Sequence, residues 1–200
     1  MISELCPFNN PAWAERYFRR HSGIAHKNGV RFAKLLKRRG FKGGRILDSG
    51  CGFGAMVIEL AKAFPEAEVV GIDQSDPLLE TARKLAYEAG LSERVSFEKG
   101  DVTKLPYGDE SFDAVVNIYM AHHVEDPSVM LAEIERVLKP GCIALIEDIK
   151  RSWLGLFESA FREAFSAREA RELLNRSALR EGRFLKGFYW WRFETGGGAR

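Results

Sequence analysis

Cysteine is scarce in this sequence. Cys6, Cys51 and Cys142 are odd in number, scattered, and without the spacing of metal ligands. That excludes a disulfide framework and a cysteine-built metal centre, so free thiols in a reducing cytoplasm are expected and no metal is assigned. Long hydrophobic runs are missing too. No stretch reaches ~18 apolar residues, and the segment from Met1 to Asn10 carries no apolar signal core, so neither a membrane span nor an export signal is expected. Charge of one sign is not in excess: 30 basic against 28 acidic residues leave a net +2, which does not by itself imply a nucleic-acid partner. The exception is local. "RFAKLLKRRGFKGGR" (31–45) holds seven Lys or Arg and no acid; on a helix this is either a solvated face or a polyanion-binding surface. Repeats are absent, and only the tail "GGGAR" is of low complexity, so residues 196–200 are expected to fray.

What is present is an alternation of short buried strands and amphipathic helices. In "NNPAWAERYFRRH", Asn10 suits an N-cap and Pro11 the first helical position. A second helix is expected from about Ile24 to Arg39, stopped by Gly40. "GRILDSG" reads as the first strand, with a helix over 53–64 starting on a glycine turn. "EVVGID" (68–73), "RVSFEKGD" (94–101), "FDAVVNIYM" (112–120) and "CIALIED" (142–148) read as further strands, with helices capped by Ser75 and by Asp126 between them. Strands alternating with helices at this spacing predict parallel pairing with right-handed crossovers. Ser166 and Glu169 form a capping box for a helix to about Leu174, and "GRFLKGFYWWRFE" (182–194) reads as two strands broken at Gly187. Aromatics of both parities in "FYWWRF" predict a strand covered on both faces. The expected fold is α/β, a doubly wound, mostly parallel seven-stranded sheet of Rossmann-like type closed by C-terminal antiparallel pairing. It comprises one domain: N-terminal helices (1–40), a ligand-binding core (44–148), then a cover helix and closing strands (149–195).

The glycine turn "ILDSGCGFG" (46–54) admits two ligands. Gly50-Cys51-Gly52-Phe53-Gly54-Ala55 satisfies the permissive dinucleotide pattern, with Asp73 at a distance suited to a ribose. Asp48 argues against that reading, because a pyrophosphate at a helix N-terminus wants positive potential. A carboxylate there suits a cationic ligand.

Asp48-Ser-Gly50-Cys-Gly52-Phe-Gly54 resembles the D-x-G-x-G-x-G signature of class I S-adenosylmethionine-dependent methyltransferases. Asp73, "KGDVTKLPYGDESFDAV", "AHHVEDP" and "RVLKPGC" follow in the family's order, and together they cover about residues 44–148. The nearest resemblance is to the small-molecule enzymes of the ubiquinone/menaquinone-biosynthesis type; Cys142 departs from the small residue usual in "RVLKPGC". The resemblance implies S-adenosylmethionine as cofactor and S-adenosylhomocysteine as product. It assigns Asp48, Gly50, Cys51, Gly52 and Gly54 to the methionyl and ribose parts, Asp73 with Gln74 to the ribose and adenosine edge, and Asp101 with Val102 to the adenine. Asn117, Tyr119 and His122 line the cofactor where strand four ends.

Methyl transfer is an in-line displacement, and a general base is needed only when the acceptor arrives protonated. His122 or His123 can be that base, or can pack or cap the turn into the next helix. Glu147 and Asp148 end strand five, as acceptor-binding or metal-binding groups or as solvated acids, with no third ligand to back a metal. In "SWLGLFESAFREAF" (152–165), Trp153, Phe157 and their helical neighbours form one apolar stripe, which is core or a substrate cover. With Trp13, Tyr17 and Phe18 it is expected to roof an apolar acceptor pocket. The partner expected is a small-molecule methyl acceptor. Strand four ends in "NIYMAHH", without the Asn/Asp-Pro-Pro-aromatic run of amino-directed nucleic-acid enzymes. An RNA or protein methyltransferase and a non-catalytic S-adenosylmethionine-binding partner are the alternatives, and a homodimer is compatible with either.

Overall fold

The computed structural model describes residues 7–152, 159–177, 179 and 181–196. Trp153 and Phe157 lie outside the described residues. The chain divides into two compact units, Met1–Val102 and Thr103–Arg200.

The first unit opens with α1 (Pro11–Arg38). Asn10 caps it by accepting the Trp13 amide at 3.1 Å, and Gly40, with φ +87°, ends it. One helix runs where two were expected. Ser22-Gly23 does not break it, because the backbone there is helical and a Cβ at Gly23 would meet nothing within 4 Å. Gly29 is the position that packing requires: a Cβ there would lie 2.7 Å from Glu59 Cβ on α2 (Ala55–Ala63). The α1 face carrying Phe32, Ala33 and Leu36 is buried, while Lys34, Lys37 and Arg38 stand in solvent.

Three parallel strands, β1 (Arg45–Ser49), β2 (Glu68–Asp73) and β3 (Val95–Lys99), pair in the order β3-β2-β1, with α3 (Asp76–Glu88) crossing between β2 and β3. Both faces are covered, so β2 buries four consecutive residues, Val69 to Ile72. Gly71 interrupts the β-branched run because Cys51 and Val57 press on it. A Cβ there would sit 2.8 Å from Cys51 Sγ and 2.9 Å from Val57 Cγ2. Gly71→Ala is therefore expected to cost about 1–3 kcal/mol by overpacking, read as a lower denaturant midpoint at unchanged m. An unchanged midpoint would show that the Cys51 turn gives way freely.

The second unit contains β4 (Phe112–Ile118), α4 (Pro127–Val137), β5 (Leu138–Ile149), α5 (Ser159–Glu163), α6 (Ala167–Arg176), β6 (Gly182–Lys186) and β7 (Trp190–Thr195). Its strand order is β4-β5-β7-β6; β4 and β5 are parallel, while β7 is antiparallel to both β5 and β6. The Ser166–Glu169 capping box forms as expected. β5 starts four residues earlier than the sequence suggests, since Lys139-Pro140-Gly141 lies within the strand and shifts its register against β4. In all, seven strands, mostly parallel and closed by an antiparallel pair, alternate with helices in a Rossmann-like α/β fold.

Candidate functional site

In the first unit the site begins where β1 ends. The amides of Gly50 and Cys51 both donate to the Ile72 carbonyl at 2.9 Å, which turns the chain sharply out of the sheet. Gly50, Gly52 and Gly54 all have positive φ (88°, 51° and 76°), conformations that side chains disfavour. The three glycines do different work. A Cβ on Gly54 would meet Phe97 Cε1 at 2.6 Å and Ala82 Cβ at 2.8 Å, so Gly54 lets α2 start tight against its neighbours. A Cβ on Gly52 would meet nothing within 4 Å: this face of the turn is open.

Asp73 ties the turn to the end of β2. Its Oδ2 accepts the Gly52 amide at 2.8 Å and its Oδ1 accepts the Ser75 amide at 2.9 Å. A carboxylate has about four acceptor positions, so capacity remains for a ligand hydroxyl. Burial raises its pKa, and the amides of Ser75, Gly52 and Gln74 oppose the rise. Asp48 is less well served. It is 2% exposed, and its Oδ2 is buried without a hydrogen-bond partner among the described residues. Burial, then the nearby Asp73 carboxylate, push its pKa up to about 8. The Cys51 thiol is likewise driven up by burial, and then by Asp73 and Asp48, so it is no nucleophile. Asp101 is exposed after β3, whereas Val102 is buried.

Aromatic rings gather against this turn. Trp13 and Tyr17 stack at 5.2 Å; Phe8 meets them edge-on at 4.3 and 5.3 Å. Tyr17 and Phe18 contact Phe53 inside the glycine turn, at 6.0 and 5.2 Å. The Phe8 carbonyl is anchored by the Ser75 hydroxyl at 2.6 Å. Burial and Asp73 raise the Tyr17 pKa. Tyr17 and Phe18 thus reach the turn through Phe53, and Trp13 stacks on Tyr17 behind them. Phe8 and Phe53 were not singled out along the chain, since single aromatics carry no periodic signal.

The second unit supplies another cluster at the ends of β4 and β5. Asn117 is fully buried and donates to Met130 Sδ at 3.5 Å. Tyr119 has φ +58°, a left-handed conformation costly for an aromatic residue. It is held by its amide on the Glu147 carbonyl, at 2.8 Å, and by its hydroxyl on Glu147 Oε1, at 3.2 Å. Arg192 of β7 donates to Glu147 Oε2 at 3.2 Å and to Glu194 Oε1 at 2.6 Å. Glu147 is 1% exposed. Expected either to bind the acceptor or to stand in water, it is committed to Tyr119 and Arg192.

His122 and Asp148 make a buried pair. Asp148 Oδ2 accepts the His122 amide at 2.9 Å, and Oδ1 lies 2.7 Å from His122 Nδ1. Because a carboxylate only accepts, Nδ1 carries the proton and Nε2 presents its lone pair. Their side chains are 4% and 1% exposed. His123 lies against His122, ring centroids 3.9 Å apart. Although His123 as a whole is exposed, loss of water from the covered side of its ring, then His122, push its pKa down to about 4; Asp148 pulls the other way. A base that weak at neutral pH is poorly matched to proton abstraction, which favours His122 of the two histidines. Among the described residues no group of three or more His, Cys, Asp or Glu can hold a metal ion.

A family model described as a methyltransferase domain matches residues 41–180, more than half of the chain. Demethylmenaquinone methyltransferase of Deinococcus radiodurans is 40% identical over 121 residues, covering 60% of this chain and 49% of that protein. Cycloartenol-C-24-methyltransferase 1 of Oryza sativa subsp. japonica is 36% identical over 151 residues, covering 70% and 42% respectively. The chain therefore spans less than half the length of these curated relatives. The crystal structure of a SAM dependent methyltransferase from Aquifex aeolicus matches with a TM-score of 0.70 at 27% identity, covering 81% of this chain and 87% of that one. An acid-headed glycine turn on this fold, with a family model spanning both units, places the chain in the methyltransferase-domain family.

Proposed function

We propose that the chain is an S-adenosylmethionine-dependent methyltransferase whose acceptor is a small, largely apolar molecule. One observation carries the cofactor assignment: the buried, unpartnered carboxylate oxygen of Asp48 at the head of an open glycine turn. A dinucleotide pyrophosphate would be repelled by it, whereas a ligand bearing ammonium and sulfonium charges is what this carboxylate lacks. Asp48, the 50–54 turn, Asp73, Gln74, Asp101 and Val102 are the residues of the first unit assigned to hold that cofactor. When bound, it supplies an electrophilic methyl group and leaves as S-adenosylhomocysteine. In the second unit, Asn117 and Tyr119 are the residues that the resemblance assigns to the cofactor. His122, oriented by Asp148, takes the proton that a phenol or carbon acid gives up.

The acceptor class rests on two supports. Trp13 and Tyr17 bring an apolar surface to the glycine turn, and the relatives named above are a quinone-precursor and a sterol-precursor enzyme by their own names. A polymer acceptor is disfavoured, since strand four runs out in "NIYMAHH", without the Asn/Asp-Pro-Pro-aromatic run of amino-directed nucleic-acid enzymes. Two free cysteines, Cys51 and Cys142, fit a reducing cytoplasmic setting. Titration calorimetry with S-adenosylhomocysteine and with NAD tests the cofactor. Binding of the first and silence with the second is expected; tight NAD binding without a response to S-adenosylhomocysteine would overturn the assignment. Label transfer from methyl-labelled S-adenosylmethionine to pooled metabolites then finds the acceptor.

A further inference from the structure

The hairpin that closes the second unit breaks the usual rules for such turns. Lys186 pairs with Trp191 across β6 and β7, and the Gly187 amide donates to the Trp190 carbonyl at 2.8 Å, so the loop is two residues long. Two-residue loops favour Asn-Gly or Gly-containing pairs with positive φ. Here the loop is Phe188-Tyr189, and neither residue has positive φ. The aromatic residues stay largely in solvent: Phe188 is 71% and Tyr189 49% exposed, the only adjacent pair among the exposed large hydrophobics of the described residues. Trp190 instead folds back over Gly187, where a Cβ would sit 2.3 Å from its Nε1. The aromatics of "FYWWRF" predict a strand covered on both faces. The correction is that β7 begins only at Trp190, and the two preceding aromatics belong to the turn. A costly local arrangement without a folding benefit points to a use outside the folded core.

The surroundings indicate the chemistry of that use. Between Arg183 and Arg192 the chain has no acid. Arg183 and Lys186 are exposed on β6, and the Lys150 ammonium sits beneath the tip, donating to the Gly187 carbonyl at 2.9 Å. Next to the hairpin, a groove of 320 Å³ between α6 and β6 adds Arg171, 4.8 Å over the Phe184 ring, while Arg168 there is paired at 2.8 Å with Glu172, the groove's single acid. Exposed Phe and Tyr rimmed by Lys and Arg are complementary to the headgroup region of an anionic bilayer. Amphipathic rings settle there, and cations gain from negative lipid.

We infer that the β6–β7 hairpin tip docks the protein reversibly onto anionic lipid surfaces, with Phe188 and Tyr189 inserting between headgroups and Lys186 and Arg183 meeting lipid phosphates. This goes beyond the methyltransferase reading and does not depend on it, because the binding can be measured with neither cofactor nor acceptor. A second copy of the chain is a poorer occupant: antiparallel self-pairing of β6 would bring Arg183 of one copy towards Lys186 of the other.

Sedimentation with large unilamellar vesicles tests it. Phosphatidylcholine vesicles containing phosphatidylglycerol are expected to bind the protein, and pure phosphatidylcholine vesicles much less. The Phe188→Ser/Tyr189→Ser variant should lose about tenfold or more in partitioning, and Lys186→Ser about fivefold. Both sites are exposed, so far-UV circular dichroism should be unchanged. The inference is overturned if anionic vesicles fail to bind the protein, or if the double variant binds as well as the wild type. It is equally overturned if sedimentation velocity shows a dimer that the double variant abolishes.

Discussion

Asp148→Asn is expected to lower kcat by about 10²–10⁴-fold, the span attributed to a positioned general base, which corresponds to about 3–5.5 kcal/mol of barrier. The carboxylate does two jobs: it accepts the His122 amide and holds Nδ1 as the donor, leaving Nε2 to take a proton. An amide side chain offers one oxygen and one N–H in place of two acceptors. It can satisfy one of those donors only by turning its own N–H towards the other. The imidazole is then driven towards the wrong tautomer or out of line, as in catalytic triads whose acid is lost. Asp148 is a positioning residue here, and a merely structural role would slow every acceptor alike. The decisive comparison is therefore between an acceptor that arrives protonated, such as a phenol, and one already ionised, such as a thiolate. Loss with the first and near-normal turnover with the second is the expected pattern. Equal losses, or none, would show that His122 is not the base.

Asp48→Asn is expected to make the ligand-free protein more stable at neutral pH, by about 4 kcal/mol, and to weaken cofactor binding. The sign follows from linkage. The Asp48 carboxyl has a pKa near 3.8 when unfolded and about 8 when folded. Between these values the folded state holds a proton that the unfolded state has lost, so stability falls as pH rises from about 4 and levels off above about 8. At pH 7 the interval is about three units, at roughly 1.4 kcal/mol each. Asparagine mimics the protonated acid in shape without paying this cost. Denaturant melts of wild type and variant should coincide near pH 4 and separate steadily towards pH 8. A gap independent of pH would show that Asp48 is not the group responsible. The same buried acid makes the trade between stability and function explicit. A cationic ligand that ionises Asp48 displaces its proton, so the binding heat at pH 7 should vary with the ionisation enthalpy of the buffer, and this dependence should vanish in the variant.

Much of the first unit was readable along the chain because its signals are local. An apolar run, an acid and a set of glycines mark the end of β1, and "EVVGID" shows the bounds of β2 in its own composition. The continuity of α1 was not readable, since Gly23 and Gly29 look alike in sequence. Only the approach of Glu59 shows that Gly29 is there for contact rather than as a break. The candidate site divides in the same way. Asp48 and Asp73 stand out by position, but Asp73's grip on the Gly52 amide is a contact across 21 residues. The Asp148–His122 pair spans 26 residues, and no spacing rule distinguishes Asp148 from Glu147 beside it. Their roles part because neighbouring strand residues face opposite sides: Glu147 lies across from Arg192 and Asp148 across from Trp191.

Glu147 also bears on how such chains can diverge. Its carboxylate joins three strands: Tyr119 just beyond β4, its own β5, and Arg192 on β7. Arg192 in turn neutralises Glu194. Loss of the arginine alone would remove the cation shared by two buried acids, and loss of the Glu147 side chain alone would take the hydroxyl's acceptor from a left-handed tyrosine. Neither single step is neutral, so among descendants of a common ancestor Tyr119, Glu147, Arg192 and Glu194 should be inherited or replaced as a set. A lineage that exchanges its terminal hairpin for another should then carry a matching change at the end of strand four, far away in sequence, as the record of that exchange.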